Sequence, residues 1–506
     1  MNTTNRIIFN TIVLYVKIVI VIIINLWTVP LLLRALGQSD YGLYQLVAGV
    51  IAMLSFLNAA MTVSTQRYMS VTMGEKDETK LNVIYNVSII LHLLIGLGIV
   101  IILELCAPFL FSGFLNIQEG RITAAEWIYQ FLIVSTFFAI LAVPFDAVLN
   151  AHENMIVFAI ITIAEVILKL VLVFLIPFLS GDALIIYGGG WALITIGGVA
   201  AKYIYTRLKY RNLVPNYHLF DKQIFKEMFS FAGWNTFGSL AVISRNQGIA
   251  IVLNKFFGTI INASYGIANQ ISGLINYFSA TLQKSINPQL MKSEGMKNRD
   301  RMLKIAFMSS KYSVLITLLL IIPLIVDMPY ILRLWLHDFP EYTIPFARLT
   351  LIVSIIYQTS AGLMSAIQSS GRIRAYQLTM GIIILLDIPL SIIALYVWNN
   401  PLVVYAIMII IEIVCLIVRI CFAANLVEAD WLTFCTKIVM PLGLVSLVSG
   451  LCVYSVAHYL GSSLLVLMGE YIINGIVICS ISWFILLSTE EKQYIINLIP
   501  LKHKEA

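Results

Sequence analysis

The sequence predicts an all-α integral membrane protein of about fourteen transmembrane helices. They form two parallel six-helix bundles followed by two extra C-terminal helices, with both termini cytoplasmic. Three observations carry this. The 506 residues are 60% hydrophobic and 11% charged, with a mean hydropathy of +0.92; a soluble domain has roughly 45–50% apolar and about 25% charged residues. The apolar residues fall in runs of about 20, the length that crosses a hydrocarbon core roughly 30 Å thick. The two halves of the chain also repeat each other.

The first apolar run follows MNTTNRIIFN directly. It is too long for a cleaved signal peptide and no small-residue cleavage site follows, so it reads as the first span. In order, spans are expected at 8–33, 41–62, 83–112, 127–149, 156–179, 184–205, 232–256, 260–283, 305–326, 343–367, 376–397, 401–424, 437–459 and 463–488. Of the 32 Lys and Arg residues, 23 fall in even-numbered loops and termini. Five (Arg34, Arg121, Lys255, Arg333 and Arg348) fall in odd loops, and four (Lys17, Lys169, Arg245 and Lys311) inside spans. This bias puts the even loops in the cytoplasm. It also supports the count, because one miscounted span would scramble the alternation.

The net charge of +6 follows this topology and makes no single basic patch, which argues against a nucleic-acid partner. The six cysteines lie in or beside apolar runs without metal-ligand spacing. No metal or cofactor is expected. Loops of thirty residues at most leave no room for a soluble catalytic domain, so no enzyme is expected.

The repeat is read from LLLRALGQSDYGLYQLVAGVIAMLSFLNAAM (31–61) and IVLNKFFGTIINASYGIANQISGLINYFSATL (251–282). Gly37 matches Gly258, Tyr41-Gly42 matches Tyr265-Gly266, and Ser55 matches Ser279 after a three-residue insertion. A charged loop follows each unit, at Gly74-Glu75-Lys76 and at Glu294-Gly295-Met296-Lys297. The tight loops AHENM (151–155) and SSGRIR (369–374) also correspond. Six helices per copy is even, so the copies are parallel. The expected divisions are 1–206, a cytoplasmic amphipathic linker 207–231, 232–425, and 426–506 with the two added helices. In the linker, Phe220, Ile224, Phe225, Met228 and Phe229 recur at helical spacing, as in a helix lying on the membrane surface.

Polar side chains inside the spans mark where function can sit. In span 8, Tyr265, Asn269, Ser272, Asn276, Ser279 and Gln283 share an arc of about 80°. Ser354, Tyr357, Gln358, Ser365 and Gln368 do the same in span 10, within about 100°. Span 1 offers Asn10, Lys17 and Asn25; span 7 offers Asn235, Ser239 and Asn246, with Arg245 beside them. Such groups can be glue between helices, or the lining of a wet cavity whose amides both donate to and accept from sugar hydroxyls.

A buried charge costs at least about 2.5–3.5 kcal/mol and therefore faces a partner or water. Glu165 and Lys169 can neutralise each other, as can Glu412 and Arg419. Asp387 has no local partner, and with Glu165 it is a candidate for ion coupling. Lys17, Arg245 and Lys311 have no carboxylate nearby in sequence. Lys311 is shallow enough to snorkel. Arg245 stands about 18 Å along span 7, near the midplane. It either pairs with Asp387 or Glu165, or faces a cleft where its guanidinium can hold phosphate.

With its six-plus-six repeat, two-helix appendix and RALGQSDYGLYQL segment (34–46), the chain resembles the polysaccharide-export branch of the multidrug/oligosaccharidyl-lipid/polysaccharide exporter superfamily, which includes Wzx-type flippases. The resemblance covers essentially the whole chain. It implies a MATE-like fold in the bacterial inner membrane and translocation of an undecaprenyl-diphosphate-linked oligosaccharide by alternating access, for surface polysaccharide such as O-antigen. It implies that Arg245, Lys17 and Lys311 attract the diphosphate. The implied partners are the lipid-linked oligosaccharide, membrane lipid, a polysaccharide polymerase and glycosyltransferases, with the protein a monomer. Pro30, Pro144, Pro323 and Pro389 could bend the helices. No GxxxxGK[ST] run is present, so a gradient or the membrane potential would drive transport. A multidrug cation antiporter and a lipid II flippase of the same superfamily are the alternatives.

Overall fold

Backbone groups inside hydrocarbon have no water to bond, so a chain this apolar must be helical wherever it crosses. In the computed structural model every element among the described residues is helical. The structure describes residues 3–52, 55–114, 117, 119–336 and 338–498. Lys502 and Lys504, which enter the charge tally, and the side chain of Ser55 lie outside them. Among the described residues ten helices are long and apolar enough to span a membrane. An eleventh is the pair Thr343–Thr359 and Ala361–Ser370, bent by 43°. These coincide with eleven of the expected spans. The stretches 232–256 and 260–283 are also helical, but their polar side chains keep them below that apolar standard.

The chain divides into two compact units, Met1–Leu240 with Lys284–Met302, and Ala241–Gln283 with Leu303–Ala506. Unit 1 contains α1 (Thr3–Ala52), α2 (Ser55–Glu75), α3 (Glu78–Phe109), α4 (Ile122–Leu141), α5 (Val143–Ala151), α6 (Met155–Leu175) and α7 (Ala183–Lys209). Two long helices, α8 (Lys222–Phe257) and α9 (Thr259–Gly295), contribute to both units. Unit 2 continues with α10 (Arg299–Val326), α11 (Met328–Leu336), α12 (Thr343–Thr359), α13 (Ala361–Ser370), α14 (Arg374–Leu385) and α15 (Asp387–Trp398). It ends with α16 (Leu402–Val427), α17 (Trp431–Phe434), α18 (Met440–Leu460), α19 (Leu464–Ile481) and α20 (Thr489–Leu498). The amphipathic stretch 220–229 is no separate surface helix. From Lys222 it runs without interruption into α8, since no proline intervenes.

In unit 1, α6 packs on α1 and α4 on α7. Exposed Ile12, Val16, Val19, Ile23 and Trp27 give α1 one apolar stripe suited to lipid. Leu14, Lys17 and Ile18 point the other way and are buried. In unit 2 a core of Ile249, Tyr265, Ile321, Phe346, Leu351 and Tyr405 ties α8, α9, α10, α12 and α16 together.

The repeat survives at the level of backbone angles. Gly37 and Gly258 both have positive φ, 78° and 81°, a conformation that costs glycine little and other residues more. Lys76 and Lys297 are left-handed at φ 59° and 55°, and Glu153 and Gly371 at 59° and 79°. Each of the first pair precedes an equivalent cap: Asp77 accepts from the Lys80 amide at 2.9 Å, and Asn298 from that of Arg301 at 3.0 Å.

Two contacts hold the ends of unit 1. At one end α2 and the last turns of α9 meet backbone to backbone. A Cβ on Gly74 would stand 2.1 Å from the Lys292 carbonyl oxygen, and one on Gly295 1.9 Å from that of Val71. At the other end Arg121 joins three connections. It donates to Asp40 from Nε (2.8 Å) and Nη2 (2.5 Å), and to Asp182 from Nη1 and from Nη2 (3.1 Å).

Gly295→Ala should lower the thermal midpoint of the detergent-solubilised protein by the equivalent of about 1–3 kcal/mol, because backbone has to move. Arg121's donation, with the Ile185 and Leu184 amides against a modest burial effect, holds the Asp182 carboxyl below its ordinary value of 3.8. A depressed carboxylate stabilises the fold above that ordinary value, and the contribution is lost as pH falls through the lower folded value. Arg121→Gln should remove this acid-side slope in a pH series of thermal midpoints. At neutral pH it should cost about 1 kcal/mol, since the network is partly solvated.

Candidate functional site

A site rich in cations lies in unit 1. Lys17 of α1, Lys202 of α7 and Lys284 of α9 all face the ring of Phe158 in α6, with ammonium-to-centroid distances of 5.3, 5.7 and 3.5 Å. Asp146 answers one of them, Lys202, at 3.1 Å. Local sequence explains the placement. Lys17 is on the face of α1 opposite the lipid stripe. Pro144 opens α5 after the break at Ala142, a position suited to proline, and so Asp146 stands in a helical first turn, where an acid is favoured. Lys17 and Lys202 are buried, 9% and 8% exposed. Glu165, against Gly198 of α7, also acts on Lys202 and is accompanied by Lys169; four ammonium groups against two carboxylates leave an excess of two positive charges. Like charges gathered in low dielectric repel strongly unless an anion joins them. Open polar capacity lies on the same elements: Asn10, two turns before Lys17, has a buried Nδ2 without a partner, and Asn150, one turn after Asp146, has both amide atoms so placed.

Unit 2 holds a different arrangement. Arg245 of α8 has Asp387 of α15 at 4.0 Å and Glu412 of α16 at 3.8 Å, and its Nε donates to Asn246 at 3.3 Å. Glu412 in turn accepts from Arg419 at 2.7 Å. Arg419 also donates to Ser360 at the α12–α13 break (3.1 Å) and lies over Tyr357. Ser391 donates to Asp387 at 3.3 Å. Two guanidinium groups and two carboxylates balance, so this quartet carries no excess charge. The partners of Arg245 are therefore Asp387 and Glu412; Glu165 is in the other unit.

The remaining candidates are placed as follows. Lys311 is buried and donates to both carboxylate oxygens of Glu491 in α20, at 2.5 and 2.6 Å; it does not snorkel. Lys169 sits over Trp191 at 3.6 Å, and Glu165 packs on Gly198 of α7. The stripes of α9 and α12 meet each other: Ser272 with Ser354 (2.8 Å), Gln358 to Asn276 (3.0 Å) and Ser365 of α13 to Gln283 (3.1 Å). They form a hydrogen-bonded ladder between helices, as polar groups in membranes commonly do. Tyr265 donates to the Asn246 carbonyl at 3.2 Å and bonds Asn269. Asn235 is buried and donates to the Phe231 carbonyl at 3.1 Å; Ser239 is half-buried and Asn25 exposed. Asn235 and Ser239 belong to unit 1, and Arg245 and Asn246 to unit 2.

Sequence reasoning missed Lys202, Lys284, Asp146 and Phe158. The signal available was helical spacing: Lys202 lies in the last turn of the expected span 184–205, and Lys284 directly follows 260–283.

Removing the Glu412 carboxylate leaves Arg245 facing Asp387 alone and Arg419 buried without a carboxylate. Glu412→Gln should destabilise the protein by about 3–5 kcal/mol. Adding Arg419→Met should recover part of that loss, a non-additivity that thermal melts of the single and double variants would show.

No curated protein sequence is significantly similar to the chain. Solved structures share its fold. A MATE in a bent conformation aligns over 86% of this chain and 98% of its own, at 15% identity and TM-score 0.75. An outward-facing multidrug resistance MATE family transporter of the MOP superfamily aligns over 85% and 96%, at 15% identity and TM-score 0.72. A MOP superfamily transporter from Pyrococcus furiosus, described as having a binding pocket of reverse polarity, aligns over 85% and 97%, at 15% identity and TM-score 0.71. Residues 7–294, more than half of the sequence, match the family described as "Polysaccharide biosynthesis protein". The chain is an integral membrane protein with the MATE fold, and it belongs to the polysaccharide biosynthesis protein family.

Proposed function

We propose that this protein is a flippase that moves an undecaprenyl-diphosphate-linked oligosaccharide from the cytoplasmic to the outer leaflet of the bacterial plasma membrane by alternating access. The observation that carries the reading is the triad of Lys17, Lys202 and Lys284 around Phe158, with its two uncompensated charges. A diphosphate supplies the missing anion. Ammonium groups bind it as point charges from several directions and demand no single orientation. Family membership supports a polysaccharide substrate.

Arg245 and Lys311 play no direct part in phosphate capture here, because carboxylates already face both. An inside-negative potential favours outward movement of an anionic headgroup by about 2.3 kcal/mol per charge per 100 mV. Export of an organic cation is disfavoured by the same triad, which would repel it.

The test is flipping of undecaprenyl-diphosphate oligosaccharide in proteoliposomes. Lys17→Ala, Lys202→Ala and Lys284→Ala should each slow it about tenfold or more, the equivalent of one charge-assisted hydrogen bond. Lys284→Arg should retain most of the rate. Full rates in all three alanine variants would refute the assignment. So would a wild type that exports a cationic dye and leaves the lipid-linked glycan in place.

A further inference from the structure

A second charged cluster lies in unit 2, where α19, outside the six-helix repeat, meets the joint of α10 and α11 within it. Glu470 stands in the second turn of α19, inside an apolar span, and is fully buried. Neither of its carboxylate oxygens has a hydrogen-bond partner. The group it meets is the carboxyl of Asp327, 3% exposed at the joint of α10 and α11. Asp327 Oδ1 accepts from Ser462 Oγ at 2.8 Å, and Oδ2 is buried without a partner. Among the described residues no Lys, Arg or His nitrogen lies within 4.0 Å of either carboxylate.

The surroundings explain why the pair is held together. Pro323 has no amide hydrogen, so the carbonyl of Leu319, four residues earlier, loses its bond within α10. Asn474, one turn beyond Glu470, donates to that carbonyl at 3.1 Å and to Leu318 at 3.2 Å, while Tyr471 donates to Leu320 at 3.4 Å. The turn after α18 adds the Ser462 bond. The carbonyls around Pro323 in α10 are thus a socket for α19, and Glu470 is carried into it. The charged and titratable groups nearby are Arg348 of α12, Tyr454 and His458 of α18, and Tyr471. Arg348 is committed to the carbonyls of Ile325 and Val326 at 2.7 and 3.0 Å. With Tyr454, Ala457 and His458 it lines a pocket of about 400 Å³ beside Val326, the neighbour of Asp327.

Two carboxylates in contact, sealed from water and without a cation, cannot both stay ionised. We propose that Asp327 and Glu470 are a proton-binding site: one proton drawn from the aqueous phase sits between them as an O–H···O⁻ bond and holds the α18–α19 hairpin on α10. Three partnerless oxygens suit one shared proton and fall short of the shell of oxygens a hard metal cation requires. Loss of the proton leaves two facing negative charges, which push α19 out of its socket. The site is independent of glycan binding in unit 1, so its test does not depend on transport.

The full-length protein in lipid nanodiscs should show an infrared protonated-carboxyl band at neutral pH. The band should be lost on alkaline titration and absent in both Glu470→Gln and Asp327→Asn. Thermal stability of the wild type should fall as pH rises through the loss of this proton, and Glu470→Gln, which keeps a neutral donor there, should flatten that fall. A wild type without such a band, or a band unchanged in both variants, overturns the proposal, and the wild-type titration decides even where a variant fails to fold. Replacing choline chloride with sodium chloride should leave stability unchanged. Stabilisation by sodium in the wild type but not in Glu470→Gln would assign a metal cation and overturn the proton.

Discussion

A charge inside a lipid-embedded helix bundle has no bulk water to answer it, so each buried charge dictates what must lie beside it. Three clusters in this chain meet that requirement differently. Arg245, Arg419, Asp387 and Glu412 balance one another, and their ion pairs and hydrogen bonds link α8 to α15 and α16, and α16 to the α12–α13 break. Lys17, Lys202 and Lys284, with Lys169 nearby, exceed the carboxylates of Asp146 and Glu165 and leave positive charge over. Asp327 and Glu470 have no cation at all among the described residues. Internal balance reads as structure, and imbalance reads as a place for something that arrives from outside. The sign of what is left over names the visitor: an anion in unit 1, a proton in unit 2.

Each cluster also sits where a helix is interrupted. Asp146 follows the break at Ala142, Ser360 is the break between α12 and α13, and Asp387 opens α15 after the break at Leu386. Asp327 separates α10 from α11, four residues after Pro323, which frees the Leu319 carbonyl. An interruption leaves backbone groups without intrahelical partners, and in hydrocarbon those groups must be met by side chains. The prolines therefore do more than bend the spans. At Pro144, Pro323 and Pro389 they add to the polar demand that brings hydroxyls, amides and charges together inside an otherwise apolar bundle, and the break at Ser360 does so without a proline.

Much of the fold was legible because it rests on periodic or local chemistry. Runs of apolar residues located eleven spans outright. The matched Gly37 and Gly258 share a positive φ because that backbone conformation suits glycine far better than other residues, and the loops at AHENM and SSGRIR share left-handed residues in the same way. The Glu412–Arg419 pair was legible because both lie on one face of one helix. The candidate site was less so. Lys202 ends the expected span 184–205 and Lys284 follows 260–283 directly, and both were counted with the loop charges, yet α7 continues to Lys209 and α9 to Gly295, which brings both lysines to Phe158. Choosing Glu412 over Glu165 as a neighbour of Arg245 needed the packing of α8 on α16, and no spacing encodes it. The stripes of α9 and α12 were visible as stripes; that they face each other was not.

The choice of cation separates holding from handing on. The balanced quartet uses arginine, whose planar fork fixes geometry and keeps its charge at any accessible pH. The unbalanced triad uses lysine throughout, three compact charges on flexible stems sharing one aromatic face. A ring offers each ammonium only about 0.5–2 kcal/mol, enough to gather the side chains but too little to replace an anion. A carrier must bind its headgroup in one leaflet and release it in the other, so a site that clamped phosphate bidentately would oppose the second half of the cycle. Lysines that fall back on Phe158 when the anion leaves give the site a resting state of its own. On this argument Phe158 sets the affinity from below: without the ring the emptied triad repels itself more, the anion is held more tightly, and release slows.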